Sequence, residues 1–248
     1  MGQDPSHPAT SAFSWDAEVL PGLRVAFTSI GACNLALHVG ESPGTVRANR
    51  AHLEAQMGVA PSSLRFMNQT HSDRVVEVSA SSAAPDADAL VSRDGKDPLA
   101  VLVADCVPIV LAGTDRPGNV PGPTAVVHAG RAGVANGIVG HTVAALRRHG
   151  AGELSAWIGP SVCGKCYEVP EPMMRELAAE FPEAETRTRA GTFALDLPAA
   201  VRSQLTHLDV GVEPVTVAGG ACTLENHGLY SHRREPGAGR LAGLVWRS

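Results

Sequence analysis

Three short phrases set metal-ligating side chains where apolar, strand-like runs end: N-Q-T-H at His71, A-D-C-V-P at Cys106 and V-V-H-A-G at His128. Strand ends are where an α/β or α+β fold can deliver distant residues into one cleft. Two imidazoles and one thiolate suit a zinc ion with one coordination position open, the catalytic rather than the structural pattern. The three residues stand 35 and 22 positions apart, so no short ligand motif joins them. Their types leave a second reading open, in which Cys106 packs as a small buried hydrophobe and the histidines cap strand ends. Stoichiometric metal in the purified protein, or its absence, separates the two.

Other residues offer weaker signals. Cys163-x-x-Cys166, in G-P-S-V-C-G-K-C-Y-E-V, is compatible with half a zinc ribbon, a redox pair or coincidence, and is read as shaping a turn near the cleft. The zinc deaminase pattern of H-x-E followed by P-C-x-x-C is not met: Pro160 lies three residues before Cys163 rather than next to it, so the one H-x-E, His52-Leu53-Glu54, has no partner motif. Within Ser231–Arg240, Arg233, Arg234 and Arg240 stand around a glycine-rich loop. They form either a solvated basic turn or an anion clamp, since guanidinium forks bind phosphate bidentately. No P-loop pattern occurs. Asp105 interrupts an apolar run and is costly to bury without a partner. With two lysines in the chain, Schiff-base chemistry has few candidates, and His38, His52, His141, His149 and His207 are read as structural or surface groups.

The elements that would position these residues follow from periodicity. Met1–Leu20 is Pro/Ser/Ala-rich and is expected to be a flexible tail, leaving residues 21–248 as one catalytic domain. Strands are predicted at Leu23–Ser29, Leu64–Met67, Arg74–Ser79, Ala89–Ser92, Thr124–His128, Ser155–Ile158, Val215–Ala218 and Ala242–Trp246. The run from Leu99 to Ala112 reads as one buried strand, interrupted at Asp105-Cys106, with Pro108 marking a break or an edge. Helices are predicted at Thr45–Met57, Val134–His149, Pro172–Phe181 and Leu197–His207, the last capped by Asp196. The loop from Thr114 to Pro123 is punctuation. Helices and strands mix without strict alternation, which indicates α+β or layered α/β.

Composition bounds the function classes. A hydrophobic fraction of 44% and a charged fraction of 18% are ordinary for a globular chain with an ample core. A net charge of −5 gives no electrostatic case for nucleic acid. Neither a secretory leader nor a span of roughly 20 apolar residues is visible, so a cytoplasmic protein is expected. Five cysteines, an odd number, fit thiols or ligands better than a disulfide framework.

N-Q-T-H-S-D-R-V, D-A-L-V-S, V-L-V-A-D-C-V-P-I-V-L, V-V-H-A-G, W-I-G-P-S-V-C-G-K-C-Y-E-V, L-D-L-P, S-H-R-R and G-R-L-A-G-L-V-W together resemble the YfiH family, in order from Arg24 to Trp246. That family is also called polyphenol oxidase or laccase-domain, peptidoglycan editing factor and purine nucleoside phosphorylase. The resemblance implies a layered α/β/β/α fold similar to cytotoxic necrotizing factor catalytic domains. It implies a metal site at His71, Cys106 and His128. The implied activity is phosphate-dependent cleavage of adenosine, inosine, guanosine and methylthioadenosine, with adenosine deamination beside it. Two departures stand out: Arg131-Ala132 replaces the family's Trp-Arg after His-Ala-Gly, and His232 replaces a tyrosine.

The expectation is therefore a zinc-dependent purine nucleoside enzyme, with copper as a metal it could take in vitro. Arg131, Arg233, Arg234 and Arg240 are candidates for substrate or phosphate, and Asp105 either orients a histidine ligand or is a paired structural group. The expected partners are purine nucleosides and phosphate, with no nucleic acid or membrane, and monomer and homodimer are both left open. The rival readings are a metal-free Cys106 hydrolase, a copper oxidase and an inactive binding protein. No H-x-H pair supports a multicopper centre.

Overall fold

The structure is a computed structural model that describes residues 11–78, 83–114 and 121–248. Residues 1–10 of the lead-in, Ser79 and residues 115–120 of the loop after Thr114 lie outside the described residues.

Two sheets stack between layers of helix. The first is antiparallel and contains β1 (Phe13–Leu20), β2 (Leu23–Thr28), β5 (Leu99–Val103) and β12 (Leu241–Arg247), in the order β1-β2-β12-β5. The second contains β3 (Val75–Glu77), β4 (Ala89–Ser92), β6 (Val107–Thr114), β7 (Pro121–Ala129), β8 (Leu154–Ile158) and β11 (Gly211–Glu213), in the order β11-β8-β6-β7-β4-β3. A small hairpin pairs β9 (Glu185–Arg187) with β10 (Phe193–Leu195).

Period-two alternation sorts the core into three layers. Leu99, Val101 and Val103 of β5, with Phe27 and Val245 of the same sheet, face Val110 and Val126 of the second. Ala100 and Leu102 of the same strand face outward, against Leu53 and Met57 of α1 (Pro43–Met57). On the far side, Ile109, Leu111, Ala125 and Val127 meet α3 (Ile138–Arg148), α4 (Glu171–Glu180) and α5 (Leu197–His207). The order is helix, sheet, sheet, helix, as the motifs implied. Each large aliphatic side chain so buried contributes ~1.5–3 kcal/mol relative to exposure. Phe27 sits where the sheets approach, and a Cβ at Gly159 would come within 2.2 Å of its ring.

Several expectations need correction. Phe13–Leu20 is an edge strand, not part of a flexible tail; Phe13, Trp15, Ala17 and Val19 alternate along it, and a Pro21-Gly22 turn with Gly22 at φ +69° returns the chain into β2. The Leu99–Ala112 run is two strands in two different sheets, because the chain crosses over at Ala104–Cys106. Pro108 lies inside central β6, one position before the β8 ladder begins at Ile109, so its missing N–H breaks no ladder bond to β8. The Val134–His149 helix is α2 (Arg131–Ala135) and α3, separated by Gly137 at φ +83°. Val215–Ala218 is not a strand; Gly211–Glu213 occupies the β8 edge instead. Leu64–Met67 contributes an isolated bridge, Arg65 to Leu99.

Candidate metal centre

His71, Cys106 and His128 meet. Their ligand atoms lie within 4.8 Å of one another. Cys106 Sγ is 3.8 Å from His71 Nε2, and the two imidazoles stand edge to face with centroids 4.7 Å apart. Cys106 is delivered by the crossing from β5 to β6, where Asp105 takes a φ of +93°. His128 is the penultimate residue of β7, paired opposite Pro108. His71 lies in the loop before β3 at φ +59°, a left-handed backbone that a non-glycine residue adopts only when its surroundings fix it.

Asp88, wholly buried just before β4, supplies that fixing. Its Oδ2 accepts from Ser72 N and Ser72 Oγ at 2.6 Å each and from Thr70 N at 3.2 Å. Its Oδ1 accepts from His71 N at 3.1 Å and lies 2.7 Å from His128 Nδ1. One carboxylate thus holds the backbone of one histidine and the ring of the other, leaving Nε2 of His128 as its ligand atom. Gln69 anchors the same loop to β5, giving Nε2 to Leu102 O at 2.6 Å and taking Leu102 N at 2.8 Å. Sequence reasoning did not single out Asp88; the D-A-L-V-S phrase that begins with it was the available signal.

Burial opposes charge throughout this cluster, and hydrogen bonding outweighs it. Asp88 is held well below the usual carboxylate range by bonds from His128 and Ser72. His128 rises to about 9 through Asp88 and Cys106, and the Cys106 thiol falls to about 6 through His128 and His71. Both shifts favour the ionised Cys106 thiol, the form in which a cysteine ligates a metal. Gly130 leaves the necessary room, since a Cβ there would stand 2.9 Å from His71 Cδ2 and 3.3 Å from Cys106 Sγ.

The site opens into a cavity of about 540 Å³, within the usual range for small-molecule pockets. Its walls include Phe66, Met67, His38, Arg50, His232 and Arg240. The Arg50 guanidinium lies 3.7 Å from the centre of the Phe66 ring, and burial brings Arg50 down to about 10, still cationic at neutral pH. Burial first, and then the charges of Arg240 and Arg50, hold His38 below its ordinary value. Two cations thus line the cavity beside His38, an environment suited to an oxyanion. His38, read from sequence as structural or surface, is therefore a wall residue, and Arg50 was not anticipated. A wider groove of about 990 Å³, bordered by Arg147, Glu153, Asp209 and Glu213, gathers no comparable set.

The remaining expectations divide. Arg240 lines the cavity, with one guanidinium nitrogen held by Ala238 O at 2.6 Å. Arg233 lies 4.5 Å over the Tyr167 ring, and Arg131 adds positive charge near the same phenol. Arg234 is corrected: its guanidinium is committed to the carbonyls of Thr223, Leu224, Asn226 and Leu229 and braces a turn. Asp105 takes the second of its two readings, a paired structural group. Its carboxylate accepts from Thr223 Oγ1 at 2.6 Å and Arg233 N at 2.8 Å, so it fastens the Cys106 crossing to two loops and the histidine-orienting role belongs to Asp88.

Comparison with known proteins places this geometry. The family model described as multi-copper polyphenol oxidoreductase laccase matches residues 25–248. A protein of Mycobacterium tuberculosis named purine nucleoside phosphorylase is 42% identical over 217 residues, covering 86% of this chain and 84% of the relative. The crystal structure of Neisseria meningitidis protein NMB0706 superposes with a TM-score of 0.79 at 31% identity, over 96% of this chain and 100% of that one. The Bacillus licheniformis protein YfiH shares the fold, with a TM-score of 0.76 at 24% identity over 91% of this chain and 93% of that one.

Proposed function

The chain belongs to the YfiH family, and on that premise we propose that it is a zinc-dependent purine nucleoside phosphorylase acting in the cavity floored by His71, Cys106 and His128. One observation carries this reading: a three-ligand cluster of His, Cys and His opens into a nucleoside-sized cavity whose wall holds two arginines. The relatives' printed names support the substrate class.

The donor set fits zinc. Nε2 of His128 is free because Asp88 engages Nδ1, the Cys106 thiol ionises easily, and three ligands leave one position open. Zinc bound there would supply a Lewis-acidic positive charge at the cavity floor. The chain's own residues do the positioning. Arg240 and Arg50 hold phosphate, while Phe66 and Met67 give an apolar flank for the purine. In phosphorolysis a phosphate oxygen bonds to the ribose anomeric carbon as the bond to the purine nitrogen breaks, releasing ribose 1-phosphate and the base, whose nitrogen takes up the proton that the phosphate loses overall. Holding both reactants in one cavity converts an encounter into a first-order step, and fixed cationic groups steady the anion as cationic character develops on the sugar. Deamination of adenosine, with water replacing the 6-amino group as ammonia leaves, is the second activity within this proposal.

The description "laccase" has no counterpart in the donor set. Among the described residues the two clusters of potential ligands hold two histidines between them, too few for a blue-copper site plus a histidine-rich copper cluster. A thiolate flanked by two imidazoles does favour a second reading, a metal-free Cys106 hydrolase with His128 or His71 as base.

Incubations of adenosine and inosine, with and without phosphate, resolved by chromatography for wild type and His71→Ala, test the proposal. It expects ribose 1-phosphate from wild type only when phosphate is present. Equal traces from the two proteins would sink it.

A further inference from the structure

We propose that Cys163, Cys166, Cys222 and Glu225 form a second zinc site, one that is closed and structural, fastening two loops behind the Cys106 crossing. Their ligand atoms all lie within 4.8 Å of one another. A tetrahedron of bonds of about 2.3 Å sets sulfurs about 3.8 Å apart, so small side-chain rotations complete the site. Cys163 and Cys222 lie on two segments joined side by side: Ser161 bridges Cys222, Ser161 N donates to Ala221 O at 3.1 Å, and Thr223 N donates to Ser161 O at 3.1 Å.

The two segments then make the same turn. Cys166 N donates to Cys163 O at 2.9 Å and Tyr167 N to the same oxygen at 3.0 Å. Glu225 N donates to Cys222 O at 3.2 Å and Asn226 N to that oxygen at 2.9 Å. A C-x-x-C turn thus faces a C-x-x-E turn, two ligands from each, the arrangement of paired zinc knuckles. Cys163 N also points at Cys222 Sγ, 3.5 Å away, a bond that stabilises a thiolate. Three thiolates and a carboxylate carry four negative charges against two on zinc. Arg189, paired with Glu225, offsets part of the remainder.

Four protein ligands fill a zinc coordination shell, so this cluster has no position for substrate. Its role is mechanical. Thr223, next to Cys222, donates to Asp105, and Val162, next to Cys163, donates from its N–H to Asp105 O at 3.0 Å. Tyr167, next to Cys166, carries the Arg233 guanidinium. Both turns therefore brace the crossing that aims Cys106.

The test uses the full-length Cys106→Ala chain, in which every remaining thiolate of the two clusters belongs to the second site. Loaded with cobalt(II), it should show thiolate-to-cobalt charge transfer of three-thiolate intensity and tetrahedral d–d bands, and hold one ion per chain. Adding Cys222→Ser should lose the three-thiolate signature. Glu225→Gln should keep the charge transfer while weakening cobalt retention against a chelator. Absence of charge transfer in Cys106→Ala protein of native circular dichroism overturns the proposal. So does a count of free thiols two short in unreduced, denatured wild type, which would make the cluster a disulfide. The open site is read separately, as the ion that wild type holds and Cys106→Ala lacks.

Discussion

At the floor of the cavity, His71, Cys106 and His128 arrive from a loop, a sheet-to-sheet crossing and a strand end, and groups from other segments hold them in place. Asp88 sets both histidines, the Asp105 turn aims the cysteine, and Gly130 clears the space between them. Nearer the surface, Cys163, Cys166, Cys222 and Glu225 arrive from two facing turns that the backbone alone makes alike. Three ligands facing a cavity leave room for a reactant, whereas four ligands closed on one another leave none. The difference teaches that ligand count and the orienting groups, rather than the presence of cysteine or histidine, separate a reactive centre from a fastening.

Removing a ligand should break the comparison most completely. His71→Ala is expected to reduce ribose 1-phosphate formation to background and to release one metal ion per chain, leaving the second cluster's metal in place; elemental analysis beside the product assay checks both. Gly130→Ala comes next. Its φ of −75° suits alanine, so the only penalty is the collision with His71 and Cys106. A displacement near 1 Å is expected to lower kcat/KM on the order of 10²-fold with thermal stability little changed.

Asp88→Asn sharpens the contrast, because among the described residues no buried carboxylate orients the ligands of the second cluster. Metal affinity at the open site should fall about 10–100-fold in chelator competition. Folding lowers the pKa of Asp88, so its carboxylate adds stability that is present above about pH 4 and is lost as pH falls further. The asparagine variant should therefore show a flatter acid limb in its stability curve. Arginines give the smallest and most selective effects. Arg240→Ala should raise KM for phosphate about tenfold with little change in melting temperature. Arg234→Ala should instead cost about 2–4 kcal/mol of stability, measured by denaturant unfolding, because four carbonyls lose a charged donor.

Much of the fold was legible because alternation is a local property. β4 and α5 follow directly from residue patterns, the layered order was implied by the family resemblance, and even β1 carries its alternation within a stretch whose Pro/Ser/Ala composition hid it. The division of Leu99–Ala112 was not legible, since an apolar run buried on both faces looks the same whether one sheet or two receive it. Cys106 and His128 announced themselves at strand ends. Asp88 did not, because a carboxylate before a short strand resembles a turn residue until the Thr70–Ser72 loop wraps around it. Arg50 and His38 lie far from any motif and reach the cavity only through tertiary packing. The same holds for Cys222 and Glu225, whose distance along the chain from Cys166 conceals that the two turns face each other.

The most direct test of the central claim follows ribose 1-phosphate production from inosine and phosphate by the wild-type chain while zinc is stripped with a chelator and then restored. Turnover should fall as the ion at His71, Cys106 and His128 leaves and return when zinc is added back. Undiminished turnover in metal-free protein, abolished only when iodoacetamide alkylates Cys106, would contradict the account and assign the chemistry to the thiolate.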